Sequence, residues 1–290
     1  MSRYLLLAIA LLSTAAGAQE LVPQRVTVLY DAFGAASDLQ KDWGFSALVE
    51  YGGKRILFDT GNNEEIFERN VSRLGVDLSR LDAAVISHRH GDHTSGLDYL
   101  LKRNRAVRIF APQEGAFFKG AAPRAFFTHH PGLPPELRYF DPPDGWTAGT
   151  PWPEANFAVV TSTTEIIPGF HVITTRSAKP GTMEMNELSL AVRTPRGLAV
   201  LVGCSHPGVE NILQQAATID SRLYMVTGGF HLVMTPREEV QRVADVVRDT
   251  LKVQRVAPGH CTSELGFAVF LERFGDRFDR AGLGAVIPLP

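Results

Sequence analysis

The sequence predicts an α/β fold built from layered sheets. Apolar strands alternate with amphipathic helices, and this rhythm occurs once before residue 112 and again after residue 158. In addition, several of the predicted strands end in a histidine close to a glycine. Strand ends of α/β proteins gather at one edge of a sheet, where ligands bind. We therefore expect a functional site at such an edge.

The first half begins with strands and then alternates strands with helices. Residues 45–61 hold two apolar runs on either side of Gly52 and Gly53, the pattern of a β-hairpin. Residues 63–75 carry apolar side chains at helical spacing and stop at Gly75. The other elements predicted in this half are strands over 25–33, 81–88 and 107–112 and a helix over 96–104.

Residues 112–158 interrupt the rhythm with many prolines and aromatic residues. The aromatic content argues against disorder. A long irregular insertion in a compact domain is typical of a functional loop or lid. The alternative is a loop that packs its aromatic residues onto its own domain. The aromatic residues include Phe117, Phe118, Phe126, Phe127, Tyr139, Trp146 and Trp152.

The second half repeats the pattern of the first. Residues 188–206 predict a hairpin, and residues 236–251 predict a helix with Pro236 in its first turn. The two halves together indicate a pseudo-duplicated sandwich. The other elements predicted here are a helix over 208–219, a strand over 223–231 and a last strand over 253–260.

The N-terminus has the layout of a secretory signal. Arg3 precedes an apolar run over 5–12, and the small residues of 16–18 form an A-x-A cleavage site. The apolar run is far shorter than the roughly 20 residues that span a membrane. We therefore expect cleavage after Ala18, no stable membrane insertion of the mature chain, and an exported, periplasmic protein that begins at Gln19.

Composition limits the class of protein and of partner. Residues 19–290 suit one large domain, and 44% hydrophobic residues in the 290-residue chain provide a sizeable core. The net charge of −2 creates no positive field for nucleic acid or anionic membranes. We therefore expect a small-molecule substrate and no nucleic-acid partner.

Two cysteines, Cys204 and Cys261, are too few for a disulfide scaffold. Each lies within two residues of a histidine, so a metal ligand, a wall of the site and a plain buried residue are all open.

Three histidines and an aspartate occupy the six-residue stretch HRHGDH. Protonated imidazoles at this density would repel one another, so the crowding indicates a bound cation. His88 and His90 are two residues apart after a predicted strand and project to the same side. Asp92 and His93 face a slightly displaced point, which leaves room for two neighbouring cations. Imidazole suits zinc, iron, copper or nickel, and a carboxylate adds manganese.

Three more histidines, His206, His231 and His260, follow apolar strands. Few protein ligands per metal leave a coordination position open to water, which is the catalytic arrangement. Two metals about 3.5–4 Å apart can activate a bridging water and stabilise a tetrahedral transition state.

The HRHGDH stretch resembles the H-x-H-x-D-H motif of the metallo-β-lactamase superfamily. Four other segments, DWGFSALVEYGGKRILFDTG, VLVGCSHPGVENIL, GGFHL and PGHCTS, occur in the same order as in one branch of it. That branch is similar to dihydropterin ribofuranosylaminobenzene-phosphate synthase-like metal-dependent hydrolases, and the resemblance covers nearly all of the mature chain. It implies a four-layer αββα sandwich and a metal-dependent hydrolase.

The resemblance also implies a role for each polar residue of the motifs. Most relatives have a bridging Asp where this chain has Cys204, and a His before residue 188 that this chain lacks. The third ligand and the bridging ligand are therefore both uncertain. His206 could replace one of them, which would leave a water or hydroxide as the only bridge. His231 is either a ligand or a donor to the oxyanion. The implied set is His88, His90 and His206 for the first metal, Asp92, His93 and His260 for the second, and Asp59 and Cys204 as residues around the ligands.

The expected reaction is attack by metal-activated hydroxide on an ester, lactone or phosphoester. Two divalent ions would serve it, with zinc expected and manganese or iron as alternatives. Protonated Asp92 or a water would return the proton, and His231 would act as an electrophile. A non-catalytic metal-dependent binding protein and an iron oxidoreductase are the alternatives from other classes. A β-lactamase is disfavoured because GCSH and GGFH are unlike the motifs of those enzymes.

Overall fold

Two mixed sheets form the centre of the fold. The computed structural model describes residues 22–35, 37–114, 131–132, 134–135, 138, 152–180 and 183–290. In the first sheet the strand order is β13-β1-β2-β3-β4-β5-β6, and in the second it is β12-β11-β10-β9-β8-β7. The strands of the first sheet are β1 (Arg25–Tyr30), β2 (Ser46–Tyr51), β3 (Lys54–Phe58), β4 (Ala83–Val85), β5 (Arg108–Pro112), β6 (Asn156–Val160) and β13 (Val286–Pro288). Those of the second are β7 (Thr164–Ile167), β8 (Phe170–Ala178), β9 (Glu184–Thr194), β10 (Gly197–Val202), β11 (Leu223–Gly229) and β12 (Arg255–Gly259).

Both sheets change from antiparallel to parallel pairing along their length. In the first sheet β1, β2 and β3 pair antiparallel, whereas β3 through β6 pair parallel. In the second sheet β7 through β10 pair antiparallel, whereas β10, β11 and β12 pair parallel. The predicted pseudo-duplication is therefore visible in the topology.

Helices cover the outer face of each sheet. The helices are α1 (Glu64–Arg73), α2 (Gly91–Thr94), α3 (Leu97–Arg103), α4 (Val209–Ala217), α5 (Arg237–Asp245) and α6 (Glu264–Phe274), and a π-helical turn, Val246–Thr250, extends α5. Helix α1 begins where the Asn63 side chain accepts a hydrogen bond from the backbone N–H of Ile66 at 3.0 Å. In the described residues, no helix has the length and apolar character needed to cross a membrane.

Three apolar cores correspond to the three interfaces between four layers. One core lies between the sheets, with Val49 and Leu190 among its members. A second joins the second sheet to α4, α5 and α6, and the third joins the first sheet to α1 and α3. The predicted four-layer αββα sandwich is confirmed.

Individual elements agree with the sequence patterns to different degrees. The hairpin between β2 and β3 turns at Gly52 and Gly53, whose φ angles of 57° and 77° are those of a type I′ turn. The prediction that the strand before His260 is the last one is wrong, because α6 and β13 follow it. Strands β6, β7 and β8 and helix α6 were not predicted.

The predicted insertion over 112–158 begins and ends inside strands. Pro112 at the end of β5 pairs with Val160 at the end of β6. Most of the insertion, including seven of its nine aromatic residues, lies outside the described residues, as does the predicted signal peptide over 1–18.

Candidate metal centre

Three histidines from three places in the chain form the first group of donors. His88 follows β4, His90 immediately precedes α2, and His206 follows β10. One nitrogen of each ring lies within 4.8 Å of the others. The ring centroids are 4.8 Å apart for His88 and His90, and 4.7 Å and 4.9 Å from His206. These are the three residues that the sequence assigned to the first metal.

A second group of donors lies beside the first. Asp92 and His93 come from α2, Cys204 follows β10, and His260 follows β12. The Cys204 Sγ atom is 3.2 Å from His93 Nε2 and 3.3 Å from His260 Nε2. Asp92 Oδ2 is 3.4 Å from His260 Nε2 and 3.7 Å from His93 Nε2. Cys204 was expected to lie beside the metal ligands. Its sulfur instead lies among the donor atoms of this group.

Cys204 also belongs to a third group, with His206 and His231. The rings of His206 and His231 are 4.5 Å apart. Cys204 is therefore shared by the second and third groups, and His206 by the first and third. The Cys204 sulfur lies at the chain position where the resemblance places a bridging aspartate. His231 lies close enough to be either a ligand or a donor to a bound substrate.

The buried carboxylate of Asp59 holds the HRHGDH loop in place. Its Oδ1 accepts the backbone N–H of Ser87 at 2.7 Å, and its Oδ2 accepts the Ser87 hydroxyl at 2.7 Å. The same Oδ2 is 2.7 Å from His93 Nδ1, and the Ser87 hydroxyl is 2.9 Å from His88 Nδ1. This arrangement orients the rings of His88 and His93, as partners of metal ligands do.

A second buried carboxylate, Glu187 in β9, was not predicted. Its Oε1 accepts the backbone N–H groups of Cys204 and Ser205 at 3.1 Å and 2.7 Å. Its Oε2 accepts the backbone N–H of His206 at 2.9 Å and is also 2.9 Å from His206 Nδ1. Glu187 ends the segment PGTMEMNE, in which the resemblance expects a histidine. The absence of that histidine was the one feature of the sequence that marked this segment as part of the site.

Burial and mutual contact set the protonation of the donors. Burial lowers the pKa of His88, and the neighbouring His93 lowers it further. Burial also lowers the pKa of His231 and of His260 to about 4. Burial would likewise lower the pKa of His93, but the ion pair with Asp59 raises it to about 9. His88, His231 and His260 are therefore neutral at pH 7, as metal ligands must be.

The carboxylate and the thiol of the second group respond differently to burial. Burial would raise the pKa of Asp92, but the contact with His260 and the charge of His93 hold it well below its ordinary value. Burial raises the pKa of the Cys204 thiol well above its ordinary value. The group therefore offers one carboxylate and one thiol in a single buried place.

Buried ring nitrogens without hydrogen-bond partners show that these residues fit a metal. Within the described part of the chain, His88 Nε2 and His231 Nδ1 are buried and have no such partner. An unpartnered buried polar atom is costly and calls for an explanation such as an ion. His88 gives the clearest case, because Ser87 occupies its Nδ1 and leaves its Nε2 facing the other histidines.

The backbone reaches these positions through strained conformations and close approaches. Asp59, His231 and His260 have φ angles of 57°, 50° and 46°, in a region that residues other than glycine rarely adopt. Such conformations cluster at functional sites. A Cβ atom at Gly203 would lie 2.3 Å from the Ser87 hydroxyl, so glycine allows β10 to end against the HRHGDH loop.

Comparisons with known proteins agree with this geometry. A sequence profile described as Metallo-beta-lactamase superfamily matches residues 44–176. A Methanocaldococcus jannaschii protein named 7,8-dihydropterin-6-methyl-4-(beta-D-ribofuranosyl)-aminobenzene-5'-phosphate synthase is 28% identical over 283 residues, covering 90% of this chain and 95% of its own. A ribonuclease Z from Nanoarchaeum equitans is 36% identical over 74 residues, which is 23% of this chain and 22% of that protein.

A solved structure extends the similarity to the whole fold. Tm1679, described as a metal-dependent hydrolase of the beta-lactamase superfamily, superposes with a TM-score of 0.69 and 27% identity. The superposition covers 91% of this chain and 98% of Tm1679. In its fold, in the order of its motifs and in sequence, the chain is similar to the metallo-beta-lactamase superfamily.

Proposed function

We propose that the chain is a hydrolase that uses two divalent cations to cleave an ester, a lactone or a phosphoester. The observation that carries the proposal is that shared residues, Cys204 and His206, link three donor groups at one edge of the sandwich. Similarity to the superfamily supports metal-dependent hydrolysis as the class of reaction.

The donors divide between two ions. His88, His90 and His206 would hold one, and the second group, Asp92, His93, Cys204 and His260, would hold the other. Imidazole with a thiolate favours zinc over manganese, which prefers oxygen ligands. Two ions held by these residues would supply a water of near-neutral pKa and stabilise charge on a tetrahedral transition state.

The chain's own side chains would position the substrate and move protons. With a pKa of about 4, His231 is neutral at pH 7, so its ring has one N–H to donate to a developing oxyanion. Asp92 is ionised, because His260 and His93 hold its pKa low. Of the two proton sources that the sequence suggested, water is therefore better suited than Asp92.

A second candidate is a bond-forming reaction at the same site. It is favoured by the relative from Methanocaldococcus jannaschii, which is named as a synthase and is similar over 90% of this chain. RNA is a weaker candidate substrate. The match to ribonuclease Z removes the reason to exclude it outright, but that match covers 23% of the chain.

Metal analysis and turnover on the same preparation test the proposal. The substrates are aryl phosphate, aryl phosphodiester, aryl sulfate, carboxylate ester and lactone, with a precursor RNA as a further arm. We expect bound divalent metal and turnover in the wild type and in His171→Ala, a control histidine in β8 outside the three donor groups. We expect His88→Ala to lose turnover and at least the ion of its own group, so its metal content should be lower than that of the wild type. Bound metal without turnover of any substrate would favour a binding protein or a synthase, and turnover of the metal-free protein would end the proposal.

We further propose that the protein is exported to the periplasm after cleavage behind Ala18. The charged, apolar and small-residue order over 1–18 supports this. N-terminal sequencing of the protein from a periplasmic fraction should give Gln19. A mature protein that retains Met1 or Ser2 would contradict it.

A further inference from the structure

A large cavity lies between three segments that the proposed reaction does not use. They are residues 32–35 and 37–41 after β1, helix α6, and residues 278–285 before β13. Its volume of about 730 Å³ is in the range of small-molecule pockets. The cavity is distinct from the three donor groups, because its described lining includes none of their residues.

The walls of the cavity are mostly apolar. The rings of Phe33 and Phe267 pack at 4.6 Å between centroids, and Leu39 and Leu283 add aliphatic surface. Leu271 in α6 also lines the cavity and is 52% exposed. An apolar surface of this kind, left open beside an enclosed volume, is typical of a binding site.

Two cations, Lys41 and Arg280, accompany the apolar walls. Both are exposed, and among the described residues neither has an ion pair or a side-chain hydrogen bond. In the same described part of the chain, no aspartate or glutamate lines the cavity. The lining is therefore complementary to a ligand that has an apolar body and a negative charge.

The backbone that shapes the cavity is held firmly. The backbone N–H of Leu283 donates to the Phe33 carbonyl at 2.8 Å, and that of Val28 donates to the Ala285 carbonyl at 2.9 Å. At Gly34, with φ of 149°, a Cβ atom would come within 2.8 Å of the Leu283 backbone. The two loops therefore meet closely, and the cavity is formed before any ligand arrives.

The cavity adjoins the candidate metal centre through a shared wall. Pro258 lines it and lies two residues before His260. Asp31, next to the lining residue Ala32, accepts the backbone N–H of His260 at 3.2 Å. We propose that this cavity binds a small organic anion with an aryl or alkyl body, its acid group facing Lys41 and Arg280. The proposal does not depend on the hydrolase function.

Calorimetric titration with three matched probes tests this site. The probes are 4-phenylbutanoate, the neutral 4-phenylbutanol and the cationic 4-phenylbutylamine. We expect saturable binding of the acid, with affinity reduced at least about tenfold for the alcohol and the amine, since a hydrogen bond to a charged group contributes about that factor. The double variant Lys41→Gln, Arg280→Gln should lose the same factor. Ala268→Trp, which places an indole in the cavity from the exposed side of α6, should abolish binding.

Two controls distinguish binding in this cavity from binding elsewhere on the protein. Arg103→Gln with Arg237→Gln removes two exposed arginines that do not line the cavity, and binding should be unchanged. His88→Ala should also leave it unchanged, since an acid bound at the metal centre would lose its affinity there. Equal binding of acid and alcohol, or full binding by Ala268→Trp, would overturn the proposal. Loss of binding in His88→Ala alone would show that the acid binds at the metal centre, and that result would also overturn the proposal.

Discussion

The two halves of the chain supply the candidate metal centre in different ways. In the first half, His88, His90, Asp92 and His93 come from six consecutive positions. In the second half, the donors come from the ends of three strands, β10, β11 and β12, and are spread from Cys204 to His260. One set is a local motif, whereas the other exists only after parallel strands have brought distant residues to one edge.

Each half also has its own buried carboxylate, and the two do different things. Asp59 mainly binds side chains, His93 Nδ1 and the hydroxyl of Ser87, besides accepting the one backbone N–H of Ser87. Glu187 mainly binds backbone, since it accepts three successive N–H groups besides contacting His206 Nδ1. Burial raises the pKa of Asp59. For Glu187, hydrogen bonds from His206 and the backbone outweigh burial and lower the pKa. Asp59 therefore controls ring orientation, and Glu187 fixes the loop itself.

Removing a donor from either half should have the largest effect. His88→Ala and His206→Ala each take one imidazole from the same group, so we expect equal outcomes despite their different origins in the chain. Metal affinity should fall by more than about 100-fold, because loss of a partner behind a ligand already costs about 10–100-fold. Metal content after dialysis and turnover should be measured together. Full metal occupancy in either variant would contradict the assignment.

His231 should separate binding from turnover. We expect His231→Ala to retain metal and to lower turnover by about 10²–10³, the usual effect of losing one oxyanion donor. The His231 ring is 4.5 Å from the His206 ring, so His231 is also within reach of the metal that His206 is expected to bind. If His231→Ala empties the site and His206→Ala leaves it full, the two histidines exchange roles.

The two carboxylates should differ in what their loss damages. Asp59→Asn places an amide N–H₂ against His93 Nδ1, which favours the tautomer whose Nε2 carries the proton and cannot bind metal. We expect about 10–100-fold weaker metal binding with little change in thermal stability. Glu187→Gln replaces one acceptor oxygen with an N–H₂ donor that faces backbone N–H groups, and it should lower the free energy of unfolding by about 1–3 kcal/mol. Thermal melts of both metal-free variants give the comparison, and equal melting temperatures would contradict it.

The sequence predicted what depends on local pattern. The hairpin at Gly52, helix α1 and the HRHGDH loop all follow from residues adjacent in the chain. The resemblance led to Asp59 because it lies in a motif. Glu187 has no local mark, since a glutamate before an apolar strand suggests an exposed residue until β9 is placed beside β10.

Helix α6 was not predicted for a physical reason. Its residues Val269 and Phe270 face the core, whereas Phe267 and Leu271 line the cavity. Apolar side chains on two sides of a helix blur the 3.6-residue period from which amphipathic helices are recognised. The same two-sided character is what makes the cavity apolar.

Replacing the shared sulfur should have the smallest effect on turnover and the clearest spectroscopic one. Cys204 Sγ lies 3.2–3.3 Å from two imidazole nitrogens, so it is within reach of a metal held by His93 and His260. Cys204→Ser leaves all the imidazoles and Asp92 in place, so turnover should fall less than in His88→Ala. In cobalt-substituted protein we expect a thiolate-to-metal absorption band in the near ultraviolet that Cys204→Ser abolishes. Cys261→Ser is the matched control, because Cys261 is buried beside Cys204 but belongs to none of the donor groups. A wild-type cobalt protein without the band would show that Cys204 only lines the site and that the bridge between the two halves is not sulfur.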